Sequence, residues 1–135
     1  MKRSFLTMAL FIALLGCSKK HTPPGSGLAG TWRQIEAVGG IAGQTIHYDQ
    51  VLRLLRINED STWQLQTSGT MAGSGQYSLS TVTYDSVTFF KQITFRFSPP
   101  NDFSYIQIIR MANGQLLLQD LAVDGYTNIY TRYTN

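Results

Sequence analysis

Thiols and imidazoles are scarce in this chain. Its 135 residues include one cysteine, Cys17, and two histidines, His21 and His47. No cysteine follows position 17, so everything beyond it can form neither a disulfide nor a thiolate-based metal or catalytic site. The histidines fit no H-x-x-H or H-E-x-x-H spacing and no EF-hand loop is present, so no metal or other cofactor is expected. A Ser-His-Asp set would need His47 with Asp49 and a serine, but no nucleophile elbow accompanies them. Long apolar runs are lacking too: Phe5–Leu15 is the main one, about half of the roughly 20 residues that a membrane-spanning helix needs. Charge is sparse at 14%, and from Leu28 onward seven basic residues face eight acidic ones. With no basic patch, nucleic acid is not an expected partner. The glycines of "GTMAGSG" lack a following Lys-Ser/Thr, so they are expected to form a mobile hairpin and not a phosphate cradle. Glu59 and Asp60 fall in a turn signal, where acids favour the local backbone geometry.

What is present starts with delivery. Lys2 and Arg3 precede the apolar run, the layout of a secretory signal, and Lys19 and Lys20 end it. The run closes on Leu14-Leu15-Gly16-Cys17, which resembles the lipobox of bacterial lipoproteins. The resemblance implies cleavage before Cys17 and lipidation of its sulfur, the one soft nucleophile available. Two or three acyl chains such as palmitate would anchor the protein stably where one would not. Residues 1–16 are thus expected to be signal peptide, and 17–27 a lipidated cysteine with a flexible tether. "SKKHTPPGSG" is too polar and too rich in Pro, Gly and Ser to order itself. Ser18 after the cysteine, with no acid, resembles outer-membrane lipoproteins, so the expected location is the bacterial cell envelope, facing the periplasm.

Residues 28–135 are expected to form one domain. From Gly30 the pattern is period two, broken by turn residues. "TWRQIEAV", "VLRLLRI", "TWQLQTS", "QYSLS", "KQITFRF", "FSYIQIIRM", "QLLLQDL" and "YTNIYTRYT" give about eight strands. The "ANG" between the sixth and seventh is a hairpin signal. "YDQVLRLLR" could carry its leucines on a helical face, but it leads directly into a hairpin and a strand is favoured. No βαβ alternation occurs, so the sheet should be antiparallel. Eight sequential strands hide their edges completely by closing into an up-and-down barrel; a two-sheet β-sandwich is the alternative.

Several landmarks, taken in order, resemble the short lipocalin-like domains of bacterial lipoproteins. Gly30-x-Trp32 resembles the lipocalin G-x-W start. Asp60-Ser61-Thr62 stands where Asp-Gly-Thr is usual, "GSGQYSLS" is similar to the G-x-Y strand, and "GYTNIYTRY" is similar to a closing Tyr-x-Arg strand. The resemblance implies an all-β, eight-stranded lipocalin-like barrel. It also implies that Arg132 of the last strand lies across the Trp32 ring at the closed end, a structural cation–π stack. The chain departs from longer lipocalins in having no helix signal and no disulfide. The implied function is non-catalytic binding of a small hydrophobic ligand, with Trp63, Tyr77, Phe95 and Tyr105 as candidate ligand-binding residues. The alternative is a filled barrel that engages a protein partner, since "GLAGTW" also resembles small barrel-shaped protease inhibitors. No particular protein partner is indicated.

Overall fold

A computed structural model of the chain describes residues 27–83, 89–99 and 103–134. The expected signal peptide, Cys17 and the tether up to residue 26 lie outside the described residues. Nine strands follow one another: β1 (Gly30–Gly39), β2 (Gln44–His47), β3 (Arg53–Ile57), β4 (Thr62–Thr67), β5 (Thr70–Thr83), β6 (Phe89–Phe97), β7 (Ser104–Ala112), β8 (Gln115–Asp120) and β9 (Tyr126–Arg132). Every pairing is antiparallel, and neighbours in the sheet run in the order β2-β1-β3-β4-β5-β6-β7-β8-β9. β1 also pairs with β9, from Trp32↔Arg132 to Gly39↔Tyr126, and this closes the sheet. The result is an eight-stranded up-and-down barrel with one extra strand, β2, and the sandwich alternative is excluded.

The alternation read from the sequence decides what faces inward. Trp32, Leu55, Ile57, Trp63, Ile93, Phe95, Ile109, Leu116, Leu118 and Tyr130 make up one buried core. Their strand neighbours, such as Arg56, Gln64, Arg96 and Gln119, point outward. Asn113 and Gly114, both at positive φ, make the tight β7–β8 turn that the "ANG" signal announces.

Three local expectations need correction. β1 does not alternate throughout: its register against β9 shifts between Gln34 and Glu36, so Ala37 turns inward and Val38 is exposed. Such a bulge adds one residue and reverses the face of everything after it. "YDQVLRLLR" is a strand only from Arg53. The Tyr48 amide still bonds to Ile35 O at 2.9 Å, after which the chain loops out, opposite that bulge, before pairing resumes at Leu54↔Arg33. Finally, "GTMAGSG" is a hairpin turn only at its first residue. Gly69 makes the β4–β5 turn with Ser68, while Gly73 and Gly75 lie within β5, opposite Leu65 and Trp63. A Cβ on Gly73 would sit 3.2 Å from both the Trp63 and the Phe97 rings, and one on Gly75 would run into the Arg96 carbonyl. The missing side chains make room for the indole, whose Nε1 donates to Gln76 O at 3.1 Å and Arg96 O at 3.2 Å.

One end of the barrel is shut where the described chain begins. Arg132 Cζ lies 4.0 Å from the centre of the Trp32 ring. The same guanidinium donates through Nη1 to Ala29 O and through Nη2 to Gly27 O, each at 2.6 Å, while Trp32 Nε1 donates to Leu28 O at 2.8 Å. Residues 27–29 are thus strapped across this end. Gly30, at φ +142°, has no side chain because a Cβ there would meet the Arg132 guanidinium. The G-x-W spacing has this physical reason: the glycine clears the path for the cation that stacks on the tryptophan. Replacing Arg132 by Ala removes the stack and two charge-assisted bonds. It should lower the unfolding free energy by about 2–4 kcal/mol in urea titrations. Arg132→Lys should recover less than half of that, because an ammonium cannot both stack and bridge two carbonyls. A loss below about 0.5 kcal/mol for the alanine variant would contradict the closure.

Candidate functional site

The opposite end is built differently. Here β1, β4, β6 and β8 finish while β3, β5, β7 and β9 begin. The inward positions nearest this rim are Arg53, Leu65, Phe97, Tyr105, Gln107 and Asn128, and with Gln34 they surround a cavity of about 210 Å³ inside the barrel. Leu55, Trp63, Phe95, Leu118 and Tyr130 complete its lining deeper in, where it meets the packed core. The barrel interior therefore has two halves, a solid apolar one beneath Trp32 and a partly open one toward the rim.

The apolar wall is aromatic and set at fixed angles. The Trp63 ring stands edge-to-face to Phe95 at 5.2 Å and 72°, and to Phe97 at 5.1 Å and 88°. Held by its two carbonyl acceptors, the indole gives this wall little freedom to collapse into the space.

The polar wall is mostly self-satisfied. Gln34 and Gln107 are among the buried side chains, 1% and 3% exposed. Gln34 Nε2 donates to Asn128 Oδ1 at 2.7 Å. Asp120, at the end of β8, accepts on Oδ1 from Gln107 Nε2 at 2.8 Å and from the Tyr105 hydroxyl, and on Oδ2 from the Tyr126 amide at 3.0 Å. Desolvation, with the Asp120 carboxylate beside it, pushes the Tyr105 phenol up to about 12. Burial drives the Tyr130 phenol up as well, and Arg53 opposes that rise. With its oxygens engaged by three donors, Asp120 fixes the rim in place.

Arg53 is the exception. Its Nε is buried with no hydrogen-bond partner among the described residues. Its guanidinium lies 5.1 Å over the ring of Tyr48, the first residue after β2. A buried donor left unpaired costs about 1–3 kcal/mol, so this residue is not explained by stability. Arg33 Nε is also unpaired, but Arg33 alternates with the inward Trp32 and Gln34 and lies outside the barrel.

Of the candidate ligand residues, Trp63, Phe95 and Tyr105 line this cavity. Tyr77 lies away from it, partly buried, with its hydroxyl donating to Asn58 O at 2.9 Å beside the β3–β4 turn. In that turn Asp60 Oδ1 accepts from the Thr62 amide at 3.0 Å and the Thr62 hydroxyl at 2.6 Å, which lowers the Asp60 pKa; this is local turn geometry. His47 Nδ1 pairs with Glu36 at 3.2 Å on the outer part of β1 and β2. Among the described residues no three His, Cys, Asp or Glu side chains converge. The cavity residues absent from the candidate set are the apolar Leu55, Leu65, Phe97 and Leu118, the deep Tyr130, and Gln34, Arg53, Gln107 and Asn128, four polar groups in the inward phase of an alternating strand.

No protein-family model, curated protein or solved structure matches this chain.

The Tyr105 phenol links pH to the rim. Its folded pKa lies above the ordinary value near 10, so its contribution to stability is complete below pH 10 and is lost as pH rises from about 10 to about 12. In an absorbance titration at 295 nm, Tyr105→Phe should remove one late-titrating phenol. Its urea midpoint should also fall less steeply than the parent's over that window. Loss of a phenol that titrates near pH 10 with the ordinary tyrosines would show that neither burial nor Asp120 holds this hydroxyl.

Proposed function

We propose that this chain is a lipid-anchored, non-catalytic, lipocalin-like binding protein of the bacterial cell envelope, holding one small molecule in the rim half of its barrel. The observation that carries the reading is the interior cavity of about 210 Å³, walled on one side by Trp63, Leu65, Phe95 and Phe97. An apolar cavity of about 150 Å³ accepts benzene, and drug-sized sites begin near 300 Å³. The ligand class is therefore compact, a ring with a short substituent. The cavity favours this reading over a solid barrel acting through its outer surface.

Anchoring rests on the Leu14-Leu15-Gly16-Cys17 sequence and agrees with the position of Gly27 at the closed end. Lipid on Cys17 would join the barrel from below. A tether of about ten residues reaches up to about 30 Å and leaves the open rim facing away from the membrane. Asp120 holds Tyr105 and Gln107 of the cavity wall in place.

A fragment screen by protein-observed NMR on the full chain tests the reading. Compact aromatic fragments should shift resonances of Leu65, Phe95 and Leu118 and leave those of Leu79 and Met111, on the surface near the closed end, unmoved. Leu65→Phe, which fills the cavity, should abolish those shifts while leaving the barrel folded. Fragments that perturb only outer residues would overturn the proposal.

A further inference from the structure

The rim half of the barrel holds a fixed positive charge with no counter-charge. Arg53 opens β3 in the inward phase set by Leu55 and Ile57, which places its guanidinium at the cavity. Its Nε has no partner, and among the described residues no carboxylate lies within ion-pair distance of it. Asp120, the acid at the end of β8, is engaged by Tyr105, Gln107 and Tyr126. Tyr48 supports the guanidinium through its ring face, a contact that holds the cation in place and leaves its N–H donors free. The Tyr130 hydroxyl lines the same space, close enough to Arg53 to feel its charge.

A cation at a cavity wall, with no ion-pair partner among the described residues, is open to an anion supplied from outside. The guanidinium fork matches a carboxylate in two parallel hydrogen bonds. One positive charge balances a monoanion; a dianion such as a phosphate monoester would leave a negative charge uncompensated beside Tyr105 and Gln107, which the Asp120 carboxylate already holds. The cavity volume and the aromatic wall at Phe95, Phe97 and Trp63 set the rest of the molecule. Building on the ligand-site reading above, we infer that the ligand is a small monocarboxylate with a compact aromatic or cyclic body, its carboxylate bound by Arg53 and its body against the Phe95–Phe97 wall.

Three probes with one shared ring separate the possibilities by calorimetry on the full-length chain in lipid nanodiscs: phenylacetate, neutral 2-phenylethanol and dianionic phenyl phosphate. Phenylacetate should bind at least about tenfold more tightly than 2-phenylethanol, the difference expected of a charge-assisted bidentate pair. Arg53→Met should erase that preference, leave 2-phenylethanol within about threefold, and melt no lower than the parent, because it removes an unpaired buried donor. Equal binding of phenylacetate and 2-phenylethanol, unchanged by Arg53→Met, would overturn the carboxylate assignment while leaving the ligand site standing. Tighter binding of phenyl phosphate would overturn it in favour of a dianion. No binding of any probe, with unaltered Trp63 fluorescence, would remove both the assignment and the site. If Arg53→Met does not fold, Arg53→Lys decides. A loss of phenylacetate affinity with 2-phenylethanol unchanged supports the fork, and equal affinities overturn it.

Discussion

The barrel depends on the pairing of its first and last strands. A sheet of eight strands has two edges until β1 meets β9, and unpaired edges are open to further strand addition. The Trp32↔Arg132 register puts an indole under a guanidinium at the end of that seam. The same guanidinium then reaches past Gly30 to the carbonyls of residues 27 and 29. Strand closure, end closure and the chain's point of entry therefore share one side chain. The described chain enters at the shut end, and the cavity lies toward the other.

The cavity lies toward the rim because the core is not uniformly packed. Near the closed end Trp32, Ile57, Ile93 and Leu116 are almost completely buried and leave no room. Toward the rim the inward positions change character: Arg53 follows Leu55, Gln107 follows Ile109 and Asn128 follows Tyr130. Gly73 of β5 leaves room for the Trp63 ring, and the indole packs edge-to-face against Phe95 and Phe97. These aromatic and polar walls keep a small space between them.

Much of this was legible in the sequence. Period-two runs such as Ile93, Phe95 and Phe97 sit where their alternation put them, and the Asn113-Gly114 turn formed as its residues require. Alternation could not reveal the bulge after Gln34, because an extra residue changes register only through the partner strand. Nor could it identify "GTMAGSG" as a strand, since the reason for those glycines is a tryptophan ten or more positions away. The polar side of the cavity was passed over for a related reason. Arg53, Gln34, Gln107 and Asn128 look like ordinary surface residues until their phase is compared with the apolar residue two positions away. Among the described residues, a polar group in phase with the core was the signal for the site. Trp63, Phe95 and Tyr105, picked as mid-strand aromatics, line the same cavity, while Tyr77 packs toward the other end.

Occupancy of the rim cavity in the living cell is open to one decisive measurement, native mass spectrometry of the full chain extracted from its own host's membranes. One small molecule should be retained per chain, of a mass a cavity of about 210 Å³ can hold, and be released as an organic acid on activation. A bare protein mass, with no such acid in an organic extract of the same sample, would contradict it.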